Sequence, residues 1–205
     1  MGVGSIPASE FVSRWALRRG SVAASDWRLR FSDWHEGLMD SYAGERTLKL
    51  NLGCCDRSFG PEFLNADIAP GPIVDQVVDL TQDWPWPNSS VDEVVAMDVF
   101  EHLPDKRHTM NELWRVCKPG AIVRIQVPHA TDGDGGHCDP THASWWTTSD
   151  FEYYHPGIAE RERFRHSPYY RVMADFQVLE MKKTRYERHW GGHVVEITAV
   201  LQAVK

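Results

Sequence analysis

No apolar run in this chain approaches the roughly 18 residues that a membrane-spanning helix needs, so no membrane partner is expected. Cysteine is scarce. Cys54, Cys55, Cys117 and Cys138 make no CxxC pair and no disulfide framework for 205 residues, which fits free thiols in a reducing, cytoplasmic setting. Basic charge is in deficit: 22 Lys and Arg against 29 Asp and Glu leave a formal charge of −7. Such a balance suits a nucleic-acid binder poorly, and no nucleic-acid partner is expected. A secretory signature is lacking too, because Glu10, Arg14, Arg18 and Arg19 interrupt any apolar core near the start. What is present is an ordinary globular composition, 42% hydrophobic and 25% charged, with one excess in its nine Trp.

Residues 1–46 read as a helical appendage. Ser9 is placed to cap a helix over about residues 10–19, and Gly20 to end it. Trp27, Phe31, Trp34, Leu38 and Tyr42 recur at helical spacing in a second stretch. The stripes fit either packing on the main domain or a lid over a cleft.

Residues 47–205 read as one globular unit. Leu48 to Leu52 alternates and meets Gly53, as a strand entering a turn does. Strands follow over 63–68, 73–80, 91–97 and 121–127, with a helix over 105–116 between the last two. A long polar loop, 128–148, precedes a short helix over 150–154 capped by Ser149. Residues 176–184 and 194–204 read as an antiparallel pair at a sheet edge. The expected fold is α/β: a Rossmann-like, mostly parallel sheet with an antiparallel C-terminal edge hairpin.

The strand ends carry the chemistry. In order they present Asn51-Leu52-Gly53-Cys54-Cys55, then Asp67-Ile68, then Asp79-Leu80, then Asp98 to Leu103. Ligands of open α/β sheets bind at such ends. Gly53 lets backbone approach a bulky ligand, Asp67 suits a pair of ribose hydroxyls, and Asp79 suits an exocyclic amine. A dinucleotide would need a glycine-rich loop opening a helix. The short link 54–62, with Pro61, has no room for that helix, so phosphate binding is disfavoured. A nucleoside bearing an amino acid needs no phosphate cradle.

In these motifs, with Lys118-Pro119-Gly120 before the fifth strand, residues 47–128 resemble the class I S-adenosylmethionine-dependent methyltransferases. The small methyltransferase-11-like branch is the nearest in pattern. A weaker match runs through Asp139-Pro140-Thr141-His142 to Trp145, Trp146 and Phe151. The resemblance implies S-adenosyl-L-methionine as cofactor. Its methionine part would lie against Gly53 and neighbouring backbone (Asn51, Cys54), its ribose on Asp67-Ile68 and its adenine beside Asp79-Leu80. Asp98, Val99 and His102 would line the sulfonium side. One departure stands out: the family's first turn usually reads Gly-Cys-Gly, and Cys55 replaces the second Gly.

The expected activity is methyl transfer to a small-molecule or sugar-like acceptor. His129, His137 and His142 are the candidate bases for an acceptor that holds its proton. Glu101-His102 reads either as a structural pair or as a neighbour of the cofactor. No metal ligand set is assigned, because the His/Asp loop matches no metal spacing. The alternatives are a catalytically degenerate cofactor-binding protein and a metal-dependent hydrolase using that loop. The Trp excess falls mostly outside the expected sheet, in segments suited to choosing an acceptor.

Overall fold

The computed structural model describes residues 47–158, 162, 167, 169–189 and 191–205. The expected N-terminal helices lie outside the described residues. Seven strands form one sheet: β1 (Lys49–Leu52), β2 (Phe63–Asp67), β3 (Gln76–Val77), β4 (Val91–Met97), β5 (Cys117–Gly133), β6 (Phe176–Glu187) and β7 (His193–Ala203). Their order is β3-β2-β1-β4-β5-β7-β6. The first five run parallel, and β7 pairs antiparallel with both β5 and β6. A mostly parallel α/β sheet with an antiparallel edge hairpin is therefore what forms.

β1 is central, and all four of its residues are buried. The alternation Leu-Lys-Leu-Asn-Leu is thus not a wet-and-dry pattern. Lys49 pairs with Glu93 at 3.0 Å, on the neighbouring β4 residue in register. Asn51 donates to Asn65 Oδ1 at 2.8 Å, again its register partner. Burial of such groups is tolerable only because each has a partner.

Helix α1 (Lys106–Val116) crosses from β4 to β5. Asp105 caps it, accepting from the His108 amide at 3.0 Å. Met110, Leu113 and Val116 form its fully buried stripe. Glu112, on the same helix, accepts from the Trp84 amide at 2.7 Å and pairs with Arg115 at 2.6 Å. Arg115 also donates to the Trp84 and Trp86 carbonyls, at 2.9 Å each. The Trp84-Pro85-Trp86-Pro87 link is held onto α1 in this way, and both indoles are buried. Trp146 is buried as well, stacked on Phe151 at 5.1 Å. The expectation that the excess aromatics choose an acceptor is thus corrected for these three: apolar area wins, and they are core.

Four boundaries move. The third strand shrinks from 73–80 to two residues, because Asp75 turns back to bond Asn65. β5 starts before its expected turn: Lys118-Pro119-Gly120 bulges out between Val91↔Cys117 and Glu93↔Ile122. The long loop contributes the end of β5 and the short α2 (Gly135–Cys138). Helix α3 (Thr148–Glu152) begins two residues early, since Thr147 and Asp150, not Ser149, make its capping box.

Candidate functional site

The site lies where strand order reverses, at the C-terminal ends of β2, β1 and β4. Leu52 is level with Ala66 and with Ala96. Gly53, Asp67 and Met97-Asp98 therefore leave the sheet side by side. No helix forms between Gly53 and β2, so the phosphate-binding element of a dinucleotide fold is not built.

Gly53 has a φ of 61°, and a Cβ there would sit 2.6 Å from Val99 Cγ2. Its lack of a side chain makes room for Val99, so the expectation of ligand approach is refined. Glycine is required first to let the β1 and β4 ends meet. Cys55 follows with a φ of 49°, the left-handed backbone that glycine adopts freely. The family's usual second glycine thus has a reason, and Cys55 occupies its conformation under strain. Asp67 offsets that strain: its Oδ2 accepts from the Cys55 amide at 2.8 Å, and Oδ1 from the Ala69 amide at 3.1 Å. A carboxylate offers about four acceptor sites, so capacity remains for a diol.

Asn51 is committed to structure. Its amide donates to Asn65 and, at 2.7 Å, to the Arg57 carbonyl, which fixes the turn after β1. Arg57 then reaches Asp98 at 3.2 Å, and Gln126 donates to the other Asp98 oxygen at 3.3 Å. Asp98 is buried, with a φ of 57°. Arg57 and Gln126 were not legible as site residues, because no motif marks them.

On the other side, Ile68 is 68% and Val77 58% exposed, beside Asp67. Exposed apolar groups there suit the flat face of a base. Leu80 is buried in the core instead, and its carbonyl accepts from the Trp84 indole at 3.1 Å. Asp79 is exposed, and its Oδ1 takes both the Thr81 hydroxyl and amide, at 2.7 and 2.9 Å. Those two bonds hold its carboxyl below the ordinary range. It is a turn residue, with one oxygen committed.

The two thiols of the first turn are not activated. Burial, reinforced by Asp67, pushes Cys54 up to about 12. Burial, then Asp56 and Asp67, raise Cys55 too.

The candidate bases separate. His129 is buried, and its Nδ1 accepts from the Thr131 and Asp132 amides at 3.2 and 3.0 Å. That lone pair is committed to its own turn, which disfavours His129 as a base. His137 is exposed and stacks on Trp145 at 5.2 Å. His142 packs edge-on against His102 at 5.0 Å. Burial lowers the His102 pKa, with the Thr141 carbonyl opposing, so the ring is neutral at pH 7.

Residues 50–125 match the family model described as a methyltransferase domain. The fold is that of a class I methyltransferase. A putative methyltransferase from Bacillus halodurans is similar at a TM-score of 0.54 and 12% identity, over 80% of this chain and 95% of that one. An S-adenosylmethionine-dependent methyltransferase from Archaeoglobus fulgidus is similar at 0.50 and 14%, over 85% and 91%. A curated relative, a probable S-adenosylmethionine-dependent methyltransferase of Mycolicibacterium smegmatis, is 36% identical over 56 residues. That stretch is 27% of this chain, and the chain spans 22% of the relative's length. The sheet itself extends beyond the matched residues, through the β6–β7 hairpin.

Proposed function

We propose that this protein binds S-adenosyl-L-methionine and transfers its methyl group to a small-molecule acceptor. The observation that carries this reading is the level placement of the Gly53 turn, the Asp67 carboxylate and buried Asp98 at the strand-order reversal. The missing helix after β1 supports a nucleoside without a diphosphate.

In this reading Asp67 accepts from the ribose hydroxyls, and Ile68 and Val77 face the adenine. Asp98, held by Arg57, and Val99 border the methionine end. A lone pair of the acceptor attacks the methyl carbon as the carbon–sulfur bond breaks. S-adenosylhomocysteine leaves, and the acceptor's proton passes to a base or to water. Because the sulfonium already activates the methyl group, the protein contributes mainly proximity and orientation. Exposed His137, stacked on Trp145, stands on the loop beyond β5 as the acceptor-side candidate.

The test is S-adenosylhomocysteine release across a panel of phenols, sugars and amines. Acceptor-dependent release in the wild type, reduced at least tenfold in Asp67→Asn at limiting cofactor, is the expected outcome. Release that does not depend on Asp67 would overturn the assignment of the site.

A further inference from the structure

Glu101, His102 and His142 meet beyond the C-terminal end of β4. One ligand atom from each lies within 4.8 Å of the other two. Among the described residues no other such group of His, Cys, Asp and Glu is found. The two segments are clamped by backbone. Ala143 and Ser144 amides donate to the Glu101 carbonyl at 2.8 and 2.9 Å, and the Ser144 hydroxyl to the Phe100 carbonyl at 3.0 Å. Asp139 Oδ1 accepts from the Thr141 amide and hydroxyl at 2.9 and 2.6 Å, so the Asp139-Pro140 turn delivers His142 to His102.

The tautomers are set by what the rings face. His142 Nδ1 lies 3.0 Å from the Gly136 carbonyl. A carbonyl only accepts, so Nδ1 carries the proton and Nε2 the lone pair. That Nε2 is buried and has no hydrogen-bond partner. His102 Nδ1 faces the Thr141 carbonyl at 3.1 Å, which selects the same tautomer. His142, held at Nδ1–H by a carbonyl with its Nε2 lone pair unbonded, is oriented as a metal-ligating imidazole is. Glu101 adds a carboxyl oxygen donor at 1% exposure.

We propose that Glu101, His102 and His142 hold one divalent transition-metal ion of the zinc class. Two imidazole nitrogens and one carboxylate favour such an ion over magnesium or calcium, which prefer all-oxygen sets. Ligands about 2.1 Å from a tetrahedral ion stand about 3.4 Å apart, so the side chains close by about an ångström on binding. Three protein ligands leave a coordination position for water. The site joins the end of β4 to the loop after β5, and it does not depend on the methyl-transfer reading.

The full chain is stripped with EDTA and titrated with zinc(II), and in parallel with cobalt(II) followed by its ligand-field absorption. One equivalent of each is expected to bind. His102→Ala and His142→Gln each weaken binding at least tenfold and diminish the cobalt bands, while exposed His155→Ala binds as the wild type does. Circular dichroism shows that the variants keep the fold. No stoichiometric binding by the wild type, or unchanged binding in both His102→Ala and His142→Gln, would overturn the proposal. S-adenosylhomocysteine titrated into the same stripped protein reads the cofactor cleft separately.

Discussion

At the residue scale, Gly53, Cys55 and Val99 set the first turn. Cys55 sits at a φ of 49°, where a non-glycine residue costs about 1–2 kcal/mol. Cys55→Gly is therefore expected to stabilise the protein by about 0.5–1 kcal/mol, after glycine's own entropy cost, in urea denaturation. A loss of stability would mean that the Cys55 side chain contributes more than its strain removes. Gly53→Ala makes the reverse change, and its Cβ meets Val99 at 2.6 Å. The expected cost is about 1–3 kcal/mol. Adding Val99→Ala should recover the steric part of that loss and leave the conformational part, so an unrelieved double variant would contradict the contact. Sequence pattern singled out Gly53 and Asp67 but did not show the packing reason for glycine. The reason lies in Val99, 46 residues on, which local spacing does not reveal.

At the scale of elements, α1 binds the Trp84–Trp86 link to the sheet through Glu112. Burial pushes the Glu112 carboxyl up, but the Arg115 hydrogen bonds and the Trp84 amide outweigh it and hold it below the ordinary carboxylate range. A carboxyl depressed in the folded state stabilises above its unfolded pKa of about 4.3. That contribution fades as pH falls through the lower folded value. Glu112→Gln is expected to cost about 1–3 kcal/mol at pH 7, with the gap to wild type closing in acid as the folded carboxyl protonates. A gap unchanged with pH, read from denaturation midpoints, would show that shape rather than charge holds the link. Strongly periodic elements, β1, β4, α1 and the β6–β7 hairpin, were legible within a few residues. The third strand and the loop 128–148 were not. Asp75 and Asp150 redirect backbone there through side-chain hydrogen bonds, which apolar periodicity does not carry.

At the scale of the whole molecule, seven strands in the order β3-β2-β1-β4-β5-β7-β6 gather residues from four separated segments at one crevice. A ligand that binds only the folded state at 100 times its Kd adds about 2.7 kcal/mol. For a chain of this size, S-adenosylhomocysteine at that level should raise the Tm by about 5–10 °C. An unmoved Tm at every concentration would argue against a cleft for that ligand. The site was legible in its order of glycine and acids, because each stands at a strand end. Arg57, Gln126 and the meeting of Glu101 with His142 were not, since only the sheet brings them together. In the proposed function this crevice holds a nucleoside without a diphosphate, through Asp67. Calorimetric titration of the full chain with S-adenosylhomocysteine, beside NAD as control, tests it most directly. One equivalent of S-adenosylhomocysteine is expected to bind, with an affinity roughly 5–100-fold weaker in Asp67→Ala, and no saturable NAD binding. Saturable NAD binding with none by S-adenosylhomocysteine would contradict it.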